Sequence, residues 1–283
     1  MAPNPMPLAT AAATAIQLND LENIPLLEES LPLDATDQPF YDALVAAYGT
    51  ETLCPTFCVR LARAYRSEKK AHRMTKTMAE AQKVIDWRQL HGADGILEVP
   101  LEKSSLFRQS WPTALCGEDY YGHVISVERA VDIDLATFQK KFTVDEVLVH
   151  RLQYLERIQA EMAAVSSRTG RRIYKHICIF DLAGVGLKHL SPSVINYIQP
   201  VFALGQQYYP ESLFRMYLVN APFMFWGAWK MISGLIEPHT RDKIQIFTTA
   251  ASFRAAAQEQ GIPLASIPVS LGGLHPGPAA TTT

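Results

Sequence analysis

Positive charge is missing from the start of this chain: no lysine, arginine or histidine precedes Arg60. That absence removes the basic n-region of a secretory signal and the arginines of a transit peptide, so a cytoplasmic protein is expected. Eight of the 28 acids lie in the same stretch, which leaves 20 acids against 26 Lys plus Arg in the remainder. A body with so small a positive excess is drawn weakly to anionic surfaces and lacks the basic density of a nucleic-acid binder. Charge alone decides for neither lipid nor nucleic acid; the expectation is transient contact with an anionic membrane surface and no nucleic acid. Long apolar runs are also missing. None approaches the ~18 residues of a membrane span, and the best candidate, between Arg215 and Lys230, is interrupted by Asn220 and Pro222. Cysteine is scarce, with Cys54, Cys58, Cys116 and Cys178 forming no dense framework, which suits a reducing compartment.

The motifs of common chemistries are missing too. There is no GxxxxGK[ST], GxSxG or HExxH. Gly184-Val185-Gly186 follows a strand, as a dinucleotide site would, but the third glycine of that fingerprint falls on His189. Cys54 and Cys58 lack a second ligand pair for zinc. His150, His176 and His189 are scattered and read as structural, and Asp145-Glu146 is explained by helix capping. The reading is of a protein that is not an enzyme and carries no cofactor or metal.

What remains is rich in apolar residues. The 283 residues are 48% hydrophobic and 19% charged, enough for one large or two modest cores. Residues 1 to about 35 are rich in Ala, Thr and Pro and read as a disordered or loosely docked acidic arm. Gln38 to Tyr48 reads as a helix, and Pro55 to Leu90 as two helices with a basic middle. Pro100 to Gly117 reads as a connector. Strand patterns begin near 124, 177, 216 and 245, with helices between them. Thr143 and Glu146 form a capping-box signature that opens a helix to about Ser166. Ser191-Pro192 opens another helix to about Tyr208. The expected fold is α/β, a largely parallel sheet with flanking helices.

The densest apolar stretch is Tyr208 to Phe247. A strand composition from Phe214 to Asn220 stops at Pro222, which cannot donate to a ladder. Beyond it, Phe223, Phe225, Trp226, Trp229, Met231, Ile232, Leu235 and Ile236 cover every face of an expected helix, which must be buried or face something oily. Gly227 and Gly234 each cost roughly 1 kcal/mol in a helix interior, a cost that suits a helix that moves.

The ordered run YYPE, NAP, the aromatic helix, EPHT and KIQIF resembles the CRAL-TRIO lipid-binding domain family. RLARAYR at Arg60, DWRQLHGADGIL at Asp86, GEDYYGHVISVER, IFDLAGV and the closing IPVSLGG are similar to other motifs of that family, and the resemblance covers roughly residues 38 to 274. It implies a helical unit over 36–95 and a lipid-binding domain over 96–274, with residues 275–283 as a disordered tail. It implies a sheet that floors a hydrophobic cavity, and a mobile gate helix from Phe223 to Ile236 hinged at Gly227 and Gly234. It implies a monomer that holds one phospholipid and exchanges it at membranes. By the same resemblance Arg60, Glu211 and Lys243 carry an inositol head group, and Tyr154 lies near a phosphocholine end. His176 and Cys178 stand where the family has hydroxyl-bearing residues. Carriage of a sterol, tocopherol or retinoid, or a role as a lipid-sensing interaction module, stays open beside phosphatidylinositol.

Overall fold

In the computed structural model, residues 25–186, 189 and 191–278 are described. Of the expected arm over 1–35 and tail over 275–283, residues 1–24 and 279–283 lie outside them, and the His275 N–H donates to the Ile267 carbonyl at 2.9 Å. Three helices come first: α1 (Gln38–Thr52), α2 (Pro55–Ala64) and α3 (Lys70–Leu90). Proline occupies the first turn of α1 and of α2, where its missing N–H costs nothing. Leu44, Phe57, Leu61, Val84 and Ile85 close a small core among them. Three basic residues of this unit, Arg63, Arg66 and Arg73, meet the acidic segment before and at the start of α1. Asp37 is buried and meets Arg73 at 2.6 Å and also Arg66, which in turn meets Glu28. Arg63 donates to the Leu31 carbonyl at 3.2 Å, and Glu29, 2% exposed, faces His123 at 3.1 Å.

Helix α4 (Ser104–Ser110) and strand β1 (Thr113–Glu118) occupy the segment read as a connector. The strand was hidden because it is an edge strand, short and interrupted by Gly117, and its neighbour supplies the pairing. Asp119 makes the turn back, its carboxylate accepting from the N–H groups of Tyr121 and His123 at 2.9 and 2.8 Å. Then come β2 (Val124–Arg129), α5 (Leu135–Lys141), α6 (Val144–Thr169), β3 (His176–Asp181), α7 (Pro192–Tyr208), β4 (Leu213–Val219), α8 (Phe225–Ile232), α9 (Pro238–Arg241), β5 (Ile244–Ile246) and α10 (Ala250–Glu259). The capping box at Thr143 and Glu146 is formed as expected, and Ser191 caps α7 ahead of Pro192.

The sheet order is β1-β2-β3-β4-β5, antiparallel only between β1 and β2. A sequential order with crossovers of one hand puts every crossing helix on the same side of the sheet. Helices α6, α7 and α8 take that side. Alternation then sorts the strands: Ile125, Val127, Ile177, Ile179, Tyr217 and Val219 pack with Phe253 and Ala257 of α10 into solid core.

The aromatic segment departs from a single helix over Phe223–Ile236. The α-helix covers only Phe225 to Ile232, and a 3-10 turn follows at Ser233–Leu235. Glycine at 234 and proline at 238 account for the early end. Burial is also one-sided. Phe225 and Ala228 are buried, whereas Phe223 is 95% exposed and Trp226 46%.

Candidate functional site

The strand residues that do not face α10 face a chamber. Ser126 and Glu128 of β2, His176, Cys178 and Phe180 of β3, Met216 and Leu218 of β4, and Ile244 of β5 form its floor. Their register brings Ser126 beside Cys178, Cys178 beside Met216, and Met216 beside Ile244. Tyr154, Leu155 and Ile158 of α6 and Ile198, Val201 and Phe202 of α7 form the walls. Phe225, Trp229, Ile232 and Ile236 close it from the gate side. The cavity measures about 290 Å³ and is lined mostly by apolar atoms. Apolar lining with few polar groups is the pattern of a site that orients an amphiphile.

The polar groups gather in three places. At one end Glu128 accepts from Trp111 Nε1 at 2.6 Å and from Arg151 Nη2 at 2.9 Å. Tyr154 lies beside them, its hydroxyl buried without a hydrogen-bond partner among the described residues, and burial raises its pKa. Burial likewise pushes the Cys178 thiol up to about 12, so it stays protonated. In the middle, His176 Nδ1 donates to the Ser212 carbonyl at 2.8 Å, and burial pulls its pKa down to about 4, which keeps the ring neutral. Gln159 Nε2 donates to the Ser212 hydroxyl at 3.1 Å, and its carbonyl oxygen accepts from Arg60 Nη1 at 2.8 Å.

The third place is the Glu211 cluster. Lys243 Nζ lies 3.1 Å from Glu211, His239 Nε2 2.8 Å and Lys175 Nζ 3.9 Å. Burial would raise the Glu211 carboxyl, but Lys243, Lys175 and His239 outweigh it and hold it below the ordinary carboxylate range. Burial depresses Lys243 against the pull of Glu211. Glu211 also sits in left-handed backbone at φ 53°, a costly conformation for a residue with a side chain and one found at ligand clamps.

The structure therefore brings Glu211 and Lys243 together just outside the chamber lining, next to Ser212, and ties Arg60 to the neighbouring Pro210. Arg60 is 2% exposed, its Nε donates to the Pro210 carbonyl at 2.7 Å, and burial lowers its pKa to about 10. It does not touch the chamber, although it reaches the lining through Gln159 and Ser212. Tyr154, His176 and Cys178 do line it. Of the expected gate residues, Phe225, Trp229, Ile232 and Ile236 line it. Leu235 borders a separate groove with Phe202 and Gln206, and Phe223, Trp226 and Met231 face outward. Gly227 and Gly234 have open space where a Cβ would stand, so close packing does not require either glycine. His150 bonds the Glu102 carbonyl at 2.9 Å; His189 accepts from the Gly186 N–H at 2.9 Å and also lines the chamber.

Sequence reasoning missed Trp111, Glu128, Arg151 and Lys175. One signal was available: Arg151 lies three residues before Tyr154, hence on the same helix face. Among the described residues no group of His, Cys, Asp and Glu is placed to hold a metal, and no helix is long and apolar enough to cross a membrane.

Comparison with known proteins agrees with this architecture. A family model described as the CRAL/TRIO domain matches residues 108–273. The Sec14 cytosolic factor of Schizosaccharomyces pombe is 30% identical over 190 residues, 66% of this chain and 65% of that protein. A phosphatidylinositol/phosphatidylcholine transfer protein of Arabidopsis thaliana, SFH13, is 29% identical over 201 residues, 70% of this chain but 32% of the relative. The chain thus spans about a third of the plant relative's length. The crystal structure of Sfh5 superposes with a TM-score of 0.58 at 17% identity, covering 83% of this chain and 74% of that one, a likeness of fold. The chain belongs to the CRAL-TRIO family.

Proposed function

We propose that this protein binds a single phospholipid in the chamber between sheet and gate, and exchanges or presents it at membranes without making or breaking a bond. The observation that carries the reading is the split of the sheet into two faces. One is solid core against α10; the other fronts an apolar cavity roofed by a short aromatic helix. Each acyl methylene moved from water into such a cavity contributes about 0.8 kcal/mol, so two chains hold firmly and release needs a bilayer. Phe223, Met224, Trp226 and Met231 present an exposed apolar edge beside the gate, suited to reversible peripheral contact by a monomer that is otherwise cytoplasmic. The relatives named for phosphatidylinositol and phosphatidylcholine transfer support the choice of lipid.

Phosphatidylinositol is favoured at the Glu211 cluster. Lys243 and Lys175 together outweigh one carboxylate, and Glu211 can accept from inositol hydroxyls. Native mass spectrometry of the cell-purified protein, followed by uptake of labelled phosphatidylinositol from vesicles, tests this. Protein that emerges empty and takes up no lipid refutes it. One observation favours a second reading, a different hydrophobic ligand such as a sterol: Arg60 is committed to Pro210 and Gln159. On that reading Lys243→Ala leaves uptake unchanged.

A further inference from the structure

The end of the chamber at Trp111 holds an ion pair that the fold does not use up. Arg151 and Glu128 are both more than nine-tenths buried. Both oxygens of Glu128 are engaged, one by Trp111 and one by Arg151. Arg151 is not satisfied in return: its Nε and Nη1 are buried without a hydrogen-bond partner among the described residues, as is the Tyr154 hydroxyl. All four residues line the cavity. An unpartnered buried donor costs free energy and calls for an acceptor. The free groups here are donors, two on a cation and one neutral.

The ring faces matter as much. The Arg151 guanidinium carbon lies 4.6 Å from the centre of the Trp111 ring and 4.7 Å from that of Tyr154. Aromatic faces of this kind recognise quaternary ammonium groups when they are open. Here a guanidinium already covers them, and a second cation would meet it in a medium of low dielectric. A choline head meets a guanidinium already seated on both rings and a carboxylate whose two oxygens are engaged.

We propose that the Trp111 end of the chamber is a head-group subsite for an anionic amphiphile, one whose carboxylate or phosphomonoester oxygens accept from Arg151 Nε, Arg151 Nη1 and Tyr154 Oη, and that it rejects choline heads. The subsite is separate from the Glu211 cluster. Along α6, Arg151 is eight residues before Gln159, which marks the Ser212 region; at 1.5 Å per residue that is about 12 Å. The chamber therefore has one polar group at its Trp111 end and another around His176 and Ser212, beyond which the Glu211 cluster lies. The inference rests on the reading of the cavity as a lipid chamber and adds which heads it selects.

The test uses the full chain and vesicles of dioleoylphosphatidylcholine that carry one labelled guest: oleate, dioleoylphosphatidic acid or phosphatidylcholine itself. Charged hydrogen bonds lost on mismatch correspond to about tenfold or more, so oleate or phosphatidic acid is recovered on the protein over phosphatidylcholine by at least that ratio. Which of the two is taken distinguishes a carboxylate from a phosphomonoester. The double variant Glu128→Gln/Arg151→Gln removes both charges together, leaves no buried ion alone, and brings the ratio close to one. Tyr154→Phe, which loses one oxygen and no packing, lowers it about threefold, in keeping with a single neutral hydrogen bond, and carries the test if the double variant fails to fold. The proposal is overturned if the wild type takes up phosphatidylcholine as readily as the anionic guests, or if the folded variants keep the wild-type preference. Uptake of no guest at all overturns the lipid-chamber reading and the subsite with it, a result distinct from uptake without preference.

Discussion

Two neighbouring residues of β3 separate the proposed lipid chamber from ordinary core. Ile177 points into the packed layer against α10, and Cys178 points into the cavity. Replacing each by Phe adds a similar bulk on opposite faces of one strand. In a filled core such overpacking costs about 1–3 kcal/mol, or roughly 2–5 °C in melting temperature for a chain of this size. Ile177→Phe should show that loss whether or not lipid is present. Cys178→Phe enters about 290 Å³ of existing space and should cost little in lipid-free protein. Its defect should appear when lipid is added. A ligand at 100 times its dissociation constant stabilises the native state by about 2.7 kcal/mol, and a blocked chamber forfeits most of that. Thermal unfolding with and without saturating phosphatidylinositol measures both terms. Equal destabilisation of the two variants without lipid, or full lipid stabilisation of Cys178→Phe, would refute the assignment of the front face as a chamber.

Other outcomes follow from the charged groups and the gate. Lys243→Ala should reduce phosphatidylinositol uptake about tenfold, since a charged contact is lost; a vesicle transfer assay reads it. Glu211 has a depressed pKa, so its stabilising contribution is present above about pH 4.5, its ordinary value, and is lost as pH falls through the lower folded value. Acid unfolding of Lys243→Ala should therefore begin at higher pH than that of the wild type. His123 behaves oppositely. Burial would lower it, but Asp119 and Glu29 outweigh burial and raise it from 6.5 to about 9. Its contribution is complete below pH 6.5 and fades as pH rises through about 9, so His123→Gln should flatten the stability profile in that window, as read by chemical denaturation. Asp37→Asn strands Arg73 in a buried position and should cost about 3 kcal/mol in urea unfolding. Replacing Phe223 and Trp226 together by Ala should leave the melting temperature within about 2 °C, since both are exposed, and weaken vesicle co-sedimentation.

Much of the fold was legible because local signals agreed with global ones. Thr143 and Glu146 announced a helix whose first turn they satisfy, and the apolar run at His176 is a strand buried from both sides. β1 was not legible, since an edge strand shows its pairing only through its partner. The aromatic helix was legible in place but not in length. Its apolar residues were read as one continuous cylinder, and Gly234 with Pro238 cut it short. At the site, a chemistry-bearing residue could be recognised only where a motif surrounded it. Glu211 lies in YYPE, whereas Arg151 and Glu128 come from two elements joined by tertiary packing, which no spacing in the chain records. Arg60 shows the converse: a residue in a recognisable motif whose Nε and Nη1 go to a backbone carbonyl and a glutamine, while Nη2 is buried without a partner among the described residues.

The strap formed by Glu28, Glu29 and Asp37 changes how the molecule finds a bilayer. By covering Arg66 and Arg73 it trims the cationic field around helices α2 and α3, where Lys69, Lys70 and Lys83 stay exposed. Ions at physiological strength screen what remains beyond about 8 Å. Encounter is then governed by diffusion and by the grip of Phe223 and Trp226 on the interface, so docking speed should respond more to lipid packing than to salt.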